Sequence, residues 1–366
     1  MKSYRSDPVD NLSMQQTLLV RACLATTPAE REQYVRAWEE AVQILDLDFS
    51  ASRLIPYFLH KNQQDGITCQ HDKRLKVIYK HWWLRTHHIS HQLTRVHAAF
   101  HAAGIDTVII KGASIKHHYE RPELRPMGDF DLLISKENLH EAMHVLRELD
   151  FIPNKLQLAY LEQVPDLLLD FTHAISWSHR SNDTYIDLHW RVGSRCSWQF
   201  TDKLWANLVP YAGLPDAKKP ALAYELFMLL IHAMDSSNKD NLNWLIDVAV
   251  LQNQLDAAVW QAARQLAVDE KKADLFDYAC RILLWFNVAA PDPGEVGVPK
   301  RLAATKPIGR GGLLRKTRDL PRMVSSLMYT IDRLYPHAGP LAKCYYFARR
   351  IMLFFVARRI RKEVGR

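Results

Sequence analysis

The chain has 366 residues, 48% of them hydrophobic and 24% charged, which are the proportions of a folded globular protein and exclude a disordered or fibrous one. No run reaches the roughly 18–20 uninterrupted apolar residues that a membrane-spanning helix needs. Residues 1–10 are polar, without the apolar core of a secretory signal, so a cytoplasmic protein built from two or three cooperating units is expected. The five cysteines (Cys23, Cys69, Cys196, Cys280 and Cys344) are odd in number, scattered and never at zinc-ligand spacing. They argue for a reducing compartment and against a disulfide framework or a disulfide-linked partner. The net charge of +8 is uneven: residues 300–366 hold 17 Lys+Arg against Asp319, Asp332 and Glu363, a balance of +14 that leaves −6 for the rest. An anionic partner, whether RNA or a membrane surface, would therefore meet that segment.

In chain order, the first ninety or so residues read as helical, with Met14–Ala25 and Ala29–Leu45 separated by Thr27-Pro28. A long helix follows from about Lys76 to Ala103. Ile78, Trp82, Ile89, Leu93, Val96 and Phe100 recur along it at helical spacing, and Gly104 ends it. The pattern changes at Thr107-Val-Ile-Ile110, a β-branched strand that stops at Lys111-Gly112. A helix over Ala113–Glu120, a loop with Pro122 and Pro126, a strand over Phe130–Ile134 and a helix over Lys136–Glu148 come next. Phe151-Ile152 reads as a short strand. Ala174–Ser178 and Thr184–Trp190 read as two strands joined by the turn-forming Arg180-Ser-Asn-Asp183. Amphipathic helices are predicted over Leu222–Met234, Asn241–Gln254, Val259–Ala267 and Leu275–Val288. A Pro- and Gly-containing break at Ala290–Glu295, a basic Gly-rich stretch through Gly312 and a final helix over Leu341–Val364 close the chain. The fold class is thus α+β, with a small mixed-sheet core. The boundaries are an N-terminal helical region over 1–104, the α/β core over 105–210, a helical domain over 211–290 and a basic helical segment over 291–366.

The chemistry concentrates in Met127-Gly-Asp-Phe-Asp-Leu-Leu-Ile134. In a strand, residues i and i+2 share a face, so Asp129 and Asp131 project together while Phe130 and Leu132 turn to the core. Two adjacent carboxylates repel, and a divalent cation with a taste for oxygen ligands, Mg²⁺ above all, relieves the repulsion. The same alternation in Tyr185-Ile-Asp-Leu-His-Trp190 puts Asp187 and His189 on one face. Neighbouring strands would complete a three-carboxylate cluster for two ions, suited to phosphoryl or nucleotidyl transfer. A strand ending in Lys111-Gly112 and entering a helix offers backbone N–H groups to an anion. Lys111 and Arg125 supply a point charge and forked donors for a triphosphate.

The ordered set Lys111-Gly112, Arg125-Pro-Met-Gly-Asp129-Phe-Asp131 and Ile186-Asp187-Leu-His-Trp190 resembles the uncharacterised nucleotidyltransferase family of the DNA polymerase beta-like superfamily, over about residues 54–251. His232 and Asn243-Trp-Leu-Ile-Asp247 resemble its helical half. The resemblance implies a polymerase beta-like core, with Asp129 and Asp131 binding both Mg²⁺ (or Mn²⁺) ions. It also implies that Asp187 ligates one of them and helps to activate an acceptor hydroxyl. Lys111, Gly112, Arg125, His189 and Trp244 would then contact the nucleotide, with Trp244 near the base. The implied activity moves a nucleoside monophosphate from an NTP, expected to be ATP, to a small-molecule or protein hydroxyl, with release of pyrophosphate. RNA as acceptor and a non-catalytic nucleotide-binding or membrane-surface module are the alternatives. Two departures from the wider superfamily stand out: Lys-Gly replaces Gly-Ser or Gly-Gly, and the gap from Gly112 to Asp129 is long.

Other signals read as structural. His87/His91 and His97/His101 have i, i+4 spacing, but the two pairs point apart around the helix and read as solvated histidines. His189 could orient a ligand, position the acceptor, lie near the nucleotide or pack behind the site. The final helix, with Tyr345, Phe347, Ile351, Phe354 and Phe355 beside Arg349, Arg350, Arg358, Arg359 and Arg361, reads as an amphipathic helix packed on the protein, ahead of a membrane or nucleic-acid contact.

Overall fold

In a computed structural model of the chain, the described residues are 12–163, 165–193, 196–235, 242–294 and 339–364, with the single positions 299 and 331. Residues 1–10 and most of the basic stretch after residue 294 lie outside them. In chain order the elements are α1 (Met14–Leu24), α2 (Pro28–Ala41), α3 (Phe49–Ser52), α4 (Ile55–Gln64), α5 (Asp72–Ala102), β1 (Val108–Ile110), α6 (Gly112–Ile115), β2 (Phe130–Leu133), α7 (Leu139–Glu148), β3 (Phe151–Pro153), α8 (Lys155–Gln163) and α9 (Pro165–Phe171). They continue with β4 (Ala174–His179), β5 (Tyr185–His189), α10 (Trp198–Trp205), β6 (Leu208–Pro210), β7 (Lys218–Pro220), α11 (Leu222–Asp235), α12 (Asn243–Leu251), α13 (Ala257–Asp269), α14 (Ala273–Trp285) and α15 (Pro340–Val364).

The chain divides into two compact units, each discontinuous in sequence. The first comprises Met1–His91, Lys111–Gly128 and Leu222–Ala304, and is helical. Its helices begin where the local chemistry favours it. Ser13 and Gln16 form a reciprocal capping box on α1, and Thr27 caps α2 ahead of Pro28 at the first helical position. Arg31, 3% exposed, donates to the carbonyls of Ala22 and Ala25 at the end of α1 and pairs with Asp65 at 2.6 Å. Those carbonyls have no partner within α1, so one guanidinium closes the helix end and stays paired while buried.

The second unit, Gln92–Ile110, Asp129–Ala221 and Thr305–Arg366, holds the sheet. Its seven strands run in the order β3-β4-β5-β2-β1-β7-β6. β2 is parallel to β5 and antiparallel to β1, while β1 is parallel to β7. β2 is therefore an interior strand with β1 on one side and β5 on the other, so Asp131 does not sit on an edge. Val108, Ile109 and Ile110 are all fully buried, as a strand covered on both faces requires. α15 packs against α8 and α9, and its Arg349 pairs with Asp170 at 2.8 Å. Its described part is thus seated on the unit, as the packed-helix reading expects.

The sheet exceeds the five expected strands by β6 and β7. Each is a three-residue piece ending in proline, Leu208-Val-Pro and Lys218-Lys-Pro, too short to show a two-residue alternation. The helices α8, α9 and α10 were likewise not expected. The long helix is as anticipated: Trp82, Ile89, Leu93, Val96 and Phe100 are buried and Ile78 is half-buried. His87, His91 and His101 are exposed. His97 is not. It is buried, with Nε2 donating to the Pro215 carbonyl (3.0 Å) and Nδ1 2.8 Å from the Thr107 hydroxyl, so it ties α5 to the start of β1 and to the loop before β7. Among the described residues no helix is long and apolar enough to cross a membrane.

α5 ends in a left-handed turn. Gly104 has φ +72°, and the amide of Ile105 reaches back to the Phe100 carbonyl at 2.9 Å. A Cβ at Gly104 meets nothing within 4 Å, so Gly104→Ala isolates the backbone penalty from any clash. It should lower stability by about 1 kcal/mol, read as a lower urea midpoint with an unchanged slope.

Candidate active site

Three polar side chains of the second unit converge because of one register. β2 and β5 run parallel with Asp131 opposite Asp187 and Leu133 opposite His189. Side chains paired across a parallel ladder share a face, and so do residues two apart on one strand. Asp131, Asp187 and His189 therefore project together, while Ile186 and Leu188 fill the core on the other face. One ligand atom from each of the three lies within 4.8 Å of the others. Asp131 is 6% exposed, His189 is fully buried and Asp187 is half-buried.

His189 is held through both ring nitrogens. Nδ1 lies 3.2 Å from the Arg191 carbonyl, which can only accept, so Nδ1 donates to it. Nε2 faces Asp131 Oδ1 at 2.9 Å, where it donates a proton to the carboxylate or shares a cation with it. The donor set of two carboxylates and one oriented imidazole fits a divalent ion, with oxygen ligands for Mg²⁺ and a nitrogen that Mn²⁺ accepts as well. His189 was anticipated on the Asp187 face, and it lies against the Asp131 carboxylate.

Asp129 falls outside the 4.8 Å group. It is exposed and immediately precedes β2, which begins at Phe130.

The remaining candidates are in the helical unit. Lys111 has φ 55° and ψ −132°, a backbone region that side-chain-bearing residues rarely occupy, at a cost of about 1–3 kcal/mol. Gly112 is under a different constraint: a Cβ there would lie 2.3 Å from Arg125 Nη1. The Arg125 guanidinium packs on the bare Cα of Gly112 and makes a forked pair with Asp247, Nε to Oδ1 and Nη2 to Oδ2, each 2.8 Å. Tyr119 also donates to Asp247 Oδ1, at 2.7 Å. Burial and the Asp247 carboxylate hold the Tyr119 hydroxyl well above the usual phenol range, so it remains a donor. Asp247 and Arg125 are buried. Asp247 is thus paired with a base, and the Nε–Nη2 edge of Arg125 is committed to it. Trp244 is buried on α12 and His232 is exposed on α11.

Sequence reading did not single out Lys116. It is 5% exposed and donates to Ser90 Oγ at 2.8 Å, and burial pushes its pKa down to about 8. No periodicity marks a lysine as buried, so the signal was not in the sequence.

A sequence model described as "Uncharacterised nucleotidyltransferase" matches residues 36–284. The chain belongs to this family. The match spans both the acidic strands and the Lys111-Gly112 turn, and it makes the chain an enzyme of the nucleotidyltransferase class. Comparison with curated proteins gives no match. For a nucleotidyltransferase, a buried Asp131–Asp187–His189 group is compatible with metal binding, since the reaction class uses divalent ions to neutralise phosphate charge.

Two stability measurements test this local chemistry. Gly112→Ala forces Arg125 off its seat and should cost about 1–3 kcal/mol, whereas Asp247→Asn, which strands a buried guanidinium, should cost about 3–5 kcal/mol. Lys116 gives a pH signature. Its folded pKa lies below the ordinary lysine value, so between about 8 and 10.5 the unfolded chain binds more protons and stability rises with pH. Lys116→Met should therefore stabilise the protein at pH 7, with the gain shrinking as pH approaches 10.

Proposed function

We propose that the protein transfers a nucleoside monophosphate from an NTP, with ATP as the expected donor, to a hydroxyl on a small molecule or a protein. The observation that carries the reading is the in-register pair Asp131–Asp187 with His189 behind it. The hydroxyl oxygen attacks the α-phosphorus, the bond to the β-phosphate oxygen breaks, and pyrophosphate leaves with the electron pair. Two divalent ions, Mg²⁺ or Mn²⁺, would supply neutralisation of the attacking and leaving oxygens. Asp131 and Asp187 would hold them, with Asp129 as a third carboxylate from the segment just before β2. Asp187, the most accessible of the clustered three, is assigned to take up the acceptor's proton. His189 fixes the Asp131 carboxylate through Nε2 while its own ring is held by the Arg191 carbonyl. The strained Lys111-Gly112 turn is assigned to the triphosphate. Arg125 and Trp244 are assigned to the nucleotide, with Arg125 oriented through Asp247. The polymerase beta-like core belongs to the same proposal.

With Mg²⁺ and α-labelled ATP, offered a panel of hydroxyl acceptors that includes the protein itself, the wild type should release pyrophosphate and transfer label. Asp131→Asn should lower the rate at least about 100-fold, and chelation with EDTA should abolish it. Pyrophosphate release undiminished in Asp131→Asn would sink the site assignment.

A further inference from the structure

A cavity open to solvent is lined by residues of the sheet-bearing unit. Its volume is about 600 Å³, within the range of small-molecule pockets. α10 builds one wall. Trp198, Thr201, Asp202 and Trp205 stand at i, i+3, i+4 and i+7, which is one helix face. That spacing normally marks a stripe buried in the core, yet Trp198 and Trp205 are only half-buried because the face opens onto the cavity. Trp190, which follows β5, and Tyr346 of α15 add two more rings. None of Asp131, Asp187 and His189 lines the cavity.

The charge around these rings is lopsided. Glu137, Asp166, Asp170 and Asp202 line the cavity against Lys136 and Arg349. Arg349 is spoken for by Asp170, and Lys136 lies 3.9 Å from Glu137. Asp202 and Asp166 make no direct ion pair among the described residues, although the charge of Asp166 acts on Arg349. Burial raises the Asp170 carboxyl above its ordinary value; Arg349 and, more weakly, Arg191 and Lys136 oppose the rise, while the charge of Asp166 adds to it. The rings already attract cations, since Lys136 Nζ sits 5.7 Å and Arg191 Cζ 5.6 Å from the Trp198 ring.

We propose that this cavity is a binding site for a small organic cation, an ammonium or guanidinium group carried on an apolar or ring-shaped body. The body would lie along Trp198 and Trp205, and the charge would meet Asp166 and Asp202. The aromatic faces and the Asp166 and Asp202 carboxylates together select against a neutral ligand of the same shape and against an anion. The site is independent of the metal-binding group, and neither reading needs the other.

Choline and its uncharged isostere 3,3-dimethylbutan-1-ol are matched in shape and differ in charge, so they serve as probes of the full-length protein. Tryptophan fluorescence should change saturably with choline at roughly millimolar concentration, as expected for so small a ligand. The isostere should bind at least about fivefold more weakly. Asp202→Asn, an exposed position whose exchange leaves the fold intact, should weaken choline at least about threefold, and Trp205→Leu, followed by calorimetry, should weaken it further. Choline binding should persist in Asp131→Asn/Asp187→Asn, which separates this site from the proposed reaction centre. Equal affinity for the two probes, no saturable change with choline, or choline affinity indifferent to both Asp202→Asn and Trp205→Leu would overturn the proposal.

Discussion

The chemistry depends on one register: β2 lies parallel to β5 with Asp131 opposite Asp187. Because side chains alternate with a period of two, a slip of one residue would carry Asp187 and His189 into the core and expose Ile186 and Leu188. The same four aliphatic and aromatic residues that fix the core face (Phe130, Leu132, Ile186 and Leu188, all essentially buried) therefore fix the acidic face. Packing energy of the ordinary hydrophobic kind holds two like charges together. The strands flanking the pair supply the framework: β1 beside β2 and β4 beside β5.

Carboxylates placed this way are expensive. Two like charges at this spacing repel, and His189 meets Asp131 through Nε2 while the Arg191 carbonyl accepts from Nδ1. Arg191 is itself fully buried, donating to the carbonyls of Cys196 and Thr172, so the residue that holds the His189 ring is immobilised by the backbone beyond β5. In the helical unit a comparable economy surrounds Asp247: Arg125 and Tyr119 satisfy it, and Gly112 makes room for the guanidinium. Lys111, next to it, carries backbone strain in a conformation usually left to glycine. Strain kept at a turn whose neighbours are over-determined is the pattern expected where the backbone serves a ligand.

Much of this was legible in the sequence, and the reasons are physical. Period-two alternation around Asp131 and Asp187 and the β-branched run at Val108–Ile110 are strong local signals, as is the helical stripe from Trp82 to Phe100, and the corresponding elements stand where expected. Family membership follows from the same motifs. What local pattern could not report was burial by distant partners. Arg125 reads as a phosphate-binding arginine, and nothing near it in sequence announces that Asp247, 122 residues away, pairs with its Nε and Nη2. His97 reads as one of a solvated pair until Thr107 and the Pro215 carbonyl enclose it. Asp129 reads as the strand partner of Asp131 and stands one residue before β2, at a strand end, which alternation determines least. β6 and β7 are too short to have a pattern at all. The W-x-x-T-D-x-x-W face of α10 shows the converse case, a core-like stripe that lines a cavity.

The central claim is that Asp131, Asp187 and His189 form a divalent-cation site. Isothermal titration of the metal-free protein with Mn²⁺ tests it most directly, because the readout does not depend on knowing the acceptor. The wild type should bind Mn²⁺ saturably, and Asp187→Asn should weaken it at least about tenfold. Undiminished Mn²⁺ affinity in the Asp131→Asn/Asp187→Asn double variant would contradict the claim.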